Sequence, residues 1–160
     1  MSAAPDRDGV VRLVRRIAAP PARVYRAWLD PRLLERWLAP GRWTVVDVAV
    51  DERVGGRFHV IQRDADGRRG GFLGELVELV PSRRIVYRWG FAGPDGRDGP
   101  VYDSRLTISL RAVPDGATEL TLVHERLGAL AAALPAVAER VPDGWASVLA
   151  KLERLLARGG

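Results

Sequence analysis

At 160 residues the chain fits one folded unit, long enough to bury a core without disulfide or metal staples. Cysteine is absent, which excludes disulfides, thiolate metal sites and cysteine nucleophiles together and suits a cytoplasmic address. The net charge is +5 and the basic charge is nearly all arginine, with Lys151 the only lysine, and the arginines are mostly interleaved with Asp and Glu, so no dense basic face points to nucleic acid.

Residues 1–8 read as a disordered tail without the apolar segment of a secretory signal, and 9–160 as a single domain. Val10–Ile17 mixes β-branched residues with arginine and reads as a first strand, ended by Pro20-Pro21. Ala22–Leu29 predicts a short helix with Val24 and Trp28 on one face. Asp30-Pro31 reads as an N-cap followed by proline in the first turn, opening a second helix over Pro31–Leu38 with Leu33, Leu34 and Trp37 on one stripe. The period then changes from 3.6 to 2. Thr44–Asp51 alternates with Val46, Val48 and Val50 on one side, and Arg57–Arg63 sets Phe58, Val60 and Gln62 against His59 and Ile61. DADG at 64–67 is a hairpin signal. Gly70–Val80 follows as a long strand, then Arg84–Phe91 with Ile85, Tyr87 and Trp89 on one face. Ala92–Asp103 reads as a loop by composition. Ser104–Arg111 places Leu106, Ile108 and Leu110 inward, and Thr118–Glu125 places Leu120, Leu122 and His124 on one face. Leu127–Ala138, the most apolar stretch, is too short to cross a membrane, is broken by Pro135, and reads as one irregular helix. Pro142 is expected to open the final helix, which runs to about Ala157 with Trp145, Val148, Leu149, Leu152, Leu155 and Leu156 on one stripe.

An antiparallel sheet with one apolar face needs a cover, and the last helix supplies it, giving an α+β fold. The order and several segments resemble the START-like (SRPBCC) helix-grip superfamily. Within it they resemble the bacterial proteins similar to the C-terminal domain of the Hsp90 ATPase activator. The segments are VYRAWLDPRLLERWLAP (24–40), VAVDERVGGRFHV (48–60), GELVELVPSRRIVYRW (74–89), SRLTISL (104–110), TELTLVHE (118–125) and GWASVLAKLERLL (144–156). The resemblance implies a curved seven-stranded antiparallel sheet around the C-terminal helix, with a hydrophobic cavity between them. The extra domain that the eukaryotic activator uses for chaperone contact has no counterpart among these residues.

Few polar groups are candidates for chemistry. His124 ends an inward strand face, where a neutral imidazole could exchange a proton near pH 7; the alternative is a core histidine held by hydrogen bonds. His59 lies in the opposite phase, so no histidine pair marks a metal site, and no cofactor is expected. Glu78, if it shares a face with Phe72 and Leu76, needs Arg84 or Arg88 as partner. Ser104, Ser109 and Ser147 have no companion base legible in the sequence. The expected ligand-binding residues are Trp28, Trp37, Trp43, Phe58, Phe72, Tyr87, Trp89, Leu106, Ile108, Leu122, His124, Trp145 and Leu149, none of them catalytic. They point to a protein that holds an apolar or aromatic small molecule, with no nucleic-acid or membrane partner and with a homodimer compatible. Two other readings stand beside it. An enzyme of the cyclase, aromatase or hydrolase kind on this scaffold needs an acid or base in the cavity. A protein-interaction or co-chaperone-like module needs an exposed apolar patch and a solid interior, whereas a binding site calls for a cavity of about 300 Å³ or more.

Overall fold

The structure, a computed structural model, describes residues 9–92 and 100–158. The expected tail, 1–8, and the middle of the expected loop, 93–99, lie outside the described residues. The elements are β1 (Val11–Ile17), α1 (Pro21–Leu29), α2 (Pro31–Trp37), β2 (Thr44–Val50), β3 (Arg57–Arg63), β4 (Arg69–Val80), β5 (Arg84–Ala92), β6 (Val101–Val113), β7 (Ala117–Glu125), α3 (Gly128–Ala133) and α4 (Pro135–Ala157). The seven strands form one antiparallel, curved sheet in the order β1-β7-β6-β5-β4-β3-β2. Strands β2 to β7 are a meander, and β1 closes against β7 at the far edge.

That order explains where the helices lie. Between β1 and β2 the chain must travel from one edge of the sheet to the other, and α1 and α2 carry it there. Asp30 sets the corner between them, its side chain accepting from the Arg32 backbone N–H at 2.9 Å. The long α4 lies against β1, α1 and α2, with Trp145, Val148, Leu149, Leu152, Leu155 and Leu156 all buried. Among the described residues no helix is long and apolar enough to cross a membrane.

Four local expectations are corrected. In β2 the register slips between Val45 and Asp47, so Val45, Val48 and Val50 pack on the core and Val46 is exposed. In β4 a slip between Leu76 and Glu78 pairs Glu78 with Val86 and Leu79 with Ile85. Leu79 therefore takes the inward position, and Glu78 turns to the outer face and pairs with Arg84. Each slip inserts one residue and inverts the alternation beyond it. The expected loop is shorter, because Ala92 belongs to β5 and β6 begins at Val101. Finally, α4 begins at Pro135 and runs through Pro142. Ala138 and Val141 carry the apolar stripe of Trp145 and Val148 upstream, so burial holds the turn that the missing N–H of Pro142 weakens.

Candidate functional site

The two short helices bring their tryptophans together. Trp28 and Trp37 meet edge to face with ring centroids 4.7 Å apart, and Trp37 Nε1 donates to the Ala27 carbonyl at 3.0 Å. The inward faces of β3, β4 and β5 add Phe58, Phe72, Tyr87 and Trp89, and α4 adds Trp145. Trp89 is the hub, with centroids 5.1 Å from Phe58, 4.7 Å from Phe72, 5.2 Å from Tyr87 and 5.5 Å from Trp145. Such tilted and edge-on pairs are worth about 0.5–1.5 kcal/mol each beyond the area they bury.

Behind this cluster lies a closed chain of polar groups. Trp145 Nε1 donates to His124 Nδ1 at 2.9 Å, and His124 Nε2 lies 2.7 Å from Ser104 Oγ, which donates to the Trp89 carbonyl at 2.7 Å. An indole N–H can only donate, so Nδ1 carries the lone pair and Nε2 carries the proton. His124 is fully buried and stacks on Phe91 at 5.5 Å, and burial pushes its pKa down to about 3. Ser104 thus has the companion imidazole that the sequence conceals, since 20 residues separate the two. The imidazole donates to the serine rather than accepting its proton, and the partner of its far nitrogen is the Trp145 indole, not a carboxylate. This is a structural clasp, not an activated nucleophile.

The apolar interior carries a crevice lined by Trp28, Leu29, Leu34, Leu38, Val50, Phe58, Val60, Tyr87 and Trp89. Its free volume is about 10 Å³, close to what a single water needs. Among the described residues this crevice is far smaller than the open hydrophobic cavity that the resemblance implies, because aromatic side chains close in around it. Of the expected binding residues, Trp28, Phe58, Tyr87 and Trp89 reach the crevice. Trp37, Phe72, His124 and Trp145 stand around it in the aromatic cluster. Leu106, Ile108, Leu122 and Leu149 are core. Trp43 is half-buried beside Gly70. Sequence reasoning missed Leu29, Leu34, Leu38, Val50, Val60 and Phe91, although Phe91 continues the alternation of Tyr87 and Trp89.

One wall of the crevice is the end of α2 and the segment after it. The backbone groups there are held by side chains. Gln62 Nε2 donates to the Leu38 carbonyl at 2.9 Å, Lys151 Nζ to the carbonyls of Ala39 and Gly41, and the Gly41 N–H donates to Ser147 Oγ at 2.9 Å. A lysine at the carbonyl end of a helix also suits its dipole. At the α1 side Arg26 grips Glu52 with two contacts of 2.8 Å, and that hydrogen bond is the main reason the Glu52 carboxyl titrates below its ordinary range. The outer face of the sheet holds His59, 3.1 Å from Asp47, and Arg88 between Glu75 and Asp103. Among the described residues no group of three or more His, Cys, Asp or Glu is placed to hold a metal ion.

Comparison with known proteins places this architecture. The family model described as activator of Hsp90 ATPase homolog 1-like protein matches residues 18–157. Protein CV1439 from Chromobacterium violaceum is 36% identical, with 91% of this chain and 96% of that one covered and a TM-score of 0.75. The AHSA1 (SPO3351) protein from Silicibacter pomeroyi is 26% identical over 94% of this chain and 99% of that one, with a TM-score of 0.76. Protein Ms6760 from Mycobacterium smegmatis, 24% identical over 100% and 98%, shares the fold with a TM-score of 0.78. No curated protein matches. The chain belongs to the family of activator of Hsp90 ATPase homolog 1-like proteins.

Proposed function

We propose that the protein binds an apolar small molecule in the crevice between the sheet and helices α1 and α2, which widens to admit it. The carrying observation is the crevice itself, which reaches Tyr87 and Trp89 in mid-sheet and has no charged residue in its lining. Binding energy would come from buried apolar area, about 25 cal/mol per Å² before ordering costs. Admission requires a wall to move. The end of α2 is the wall that can move, since the turn following it is tied to β3 and α4 through three side chains, Gln62, Ser147 and Lys151. Neither proton transfer nor nucleophilic attack is part of this reading, because His124 is neutral, saturated and of depressed basicity.

A second reading rests on a different observation. Residues 131–137, AAALPAV, are consecutive, apolar and exposed at the corner between α3 and α4. The crevice of about 10 Å³ falls far below the roughly 300 Å³ that a binding site calls for, which favours reading that corner as the surface of a protein-interaction module. Native mass spectrometry of the purified protein, with denaturing extraction of anything bound, separates the two. The binding reading expects a one-to-one small-molecule adduct that disappears in Val50→Trp, which fills the crevice from its partly exposed edge strand. A dimer mass without adduct transfers the function to the exposed corner. A bare monomer that also fails to take up a naphthalene-sized apolar probe refutes the binding reading.

A further inference from the structure

Two hydrogen-bond donors in the interior are left without acceptors. Trp28 Nε1 and Trp89 Nε1 are buried and have no hydrogen-bond partner among the described residues, and the two residues are 2% and 1% exposed. The rest of the interior shows how unusual this is. Trp37 and Trp145 donate to Ala27 and His124, Tyr87 Oη donates to the Trp28 carbonyl at 3.3 Å, and Thr118 Oγ1 to the Ala19 carbonyl at 2.7 Å. Buried donors are nearly always paired, and an unpaired one costs about what a lost hydrogen bond costs. Both orphans belong to side chains that line the same crevice.

We infer that the crevice selects a flat, uncharged aromatic molecule carrying a carbonyl oxygen, which accepts a hydrogen bond from the Trp28 or Trp89 indole. The inference rests on the binding reading above and narrows it to a ligand class. An indole N–H can only donate, so a ligand group that only donates gains nothing from it. A carboxylate would be buried with no cation in the lining to offset its desolvation. A ring system matches the aromatic walls, which stack and edge-pack on a planar body.

The test compares two near-isosteric probes, 2-acetylnaphthalene and 2-isopropenylnaphthalene, which differ only in a carbonyl oxygen against a methylene. Affinities are measured by tryptophan fluorescence, and the indole N–H resonances by ¹⁵N-correlated NMR. The ketone is expected to bind about tenfold more tightly, to move the Trp28 or Trp89 Nε1–H resonance in a way the alkene does not, and to lose its advantage in Trp28→Phe or Trp89→Phe. Those variants keep a ring in place, and the resonance shift in the unmodified protein stands even where a variant does not fold. Equal affinity for both probes with no distinct indole shift overturns the carbonyl inference and leaves the apolar site intact. Binding of neither probe up to its solubility limit overturns both. A ketone advantage that survives both substitutions places the acceptor contact elsewhere and overturns the role of the two indoles.

Discussion

His124 makes the fold sensitive to acid in a way that can be isolated by one substitution. The imidazole is neutral in the folded protein and its pKa falls to about 3, against 6.5 for an unhindered histidine. Between those values the unfolded chain takes up a proton that the folded chain refuses, so stability falls as pH falls. Above pH 6.5 both states are neutral and the group contributes nothing to the pH dependence. One proton per molecule corresponds to about 1.4 kcal/mol per pH unit, so lowering the pH from 7.5 to 5 removes about 2 kcal/mol of stability through this residue alone. His124→Gln keeps an oxygen for the Trp145 N–H and an amide N–H for Ser104, and it does not titrate. Urea unfolding of both proteins at the two pH values gives the difference directly, because His59 and every carboxylate are common to both and cancel. The natural protein should lose about 2 kcal/mol more than the variant on acidification. An equal loss in both would mean that His124 titrates normally when folded, and the hydrogen-bonded chain from Trp145 to the Trp89 carbonyl would be wrong.

Trp145→Phe keeps most of the packing but leaves His124 Nδ1 without its donor, so stability should fall by about 1–3 kcal/mol in the same urea assay; a change below ~0.5 kcal/mol would show that the hydrogen bond is not made. Lys151→Met removes the donor to the Ala39 and Gly41 carbonyls, and amide hydrogen exchange over 38–43 should accelerate well beyond the rest of the chain. Unchanged exchange there would mean that Lys151 does not hold the crevice wall. A Cβ on Gly74 would sit 1.9 Å from the Arg88 carbonyl oxygen, whereas one on Gly144 meets nothing within 4 Å. Gly74→Ala should therefore cost roughly 3 kcal/mol or more. Gly144→Ala, inside α4, should stabilise by up to about 1 kcal/mol. Similar melting temperatures for the two variants would contradict the close approach of β4 and β5.

Side-chain faces were legible from the sequence because they follow from period alone. Ile85, Tyr87 and Trp89 turn inward together, as do Leu106, Ile108 and Leu110, and the stripe from Trp145 to Leu156 is buried throughout. What period cannot carry is a single inserted residue. Val46 falls on the opposite face from the one its alternation predicts, and the face of Glu78 stays open in the sequence, because the slip that moves each of them depends on pairing with a neighbouring strand. The start of α4 was hidden for a related reason. Pro142 is a strong local stop signal, and only the burial of Ala138 and Val141 against the rest of the molecule overrules it. The pairing of Ser104 with His124 is a product of register between β6 and β7, where Leu106 faces His124 and Arg105 faces Glu125. Volume is further still from the sequence. The same aromatic list describes an open pocket or a filled one, and here Trp28, Phe58, Tyr87 and Trp89 occupy the space themselves.

The division of polar groups around Trp89 indicates which parts of the interior are fixed. On the β6, β7 and α4 side the buried polar atoms of Ser104, Thr118, His124 and Trp145 are all satisfied, and the chain from Trp145 through His124 and Ser104 ends on the carbonyl of Trp89 itself. Removing any member strands another in a low-dielectric interior, so that wall is held in one arrangement. On the side of α1 the crevice carries the unpaired indole of Trp28, and the turn after α2 hangs on Gln62, Ser147 and Lys151. Trp89 belongs to both sides, its carbonyl tied into the rigid wall while its side chain lines the crevice and its buried indole N–H has no partner among the described residues. The proposed opening on the α2 side, with the sheet side fixed, needs this asymmetry: a stiff surface to read a ligand, and a cover whose attachments are few enough to release.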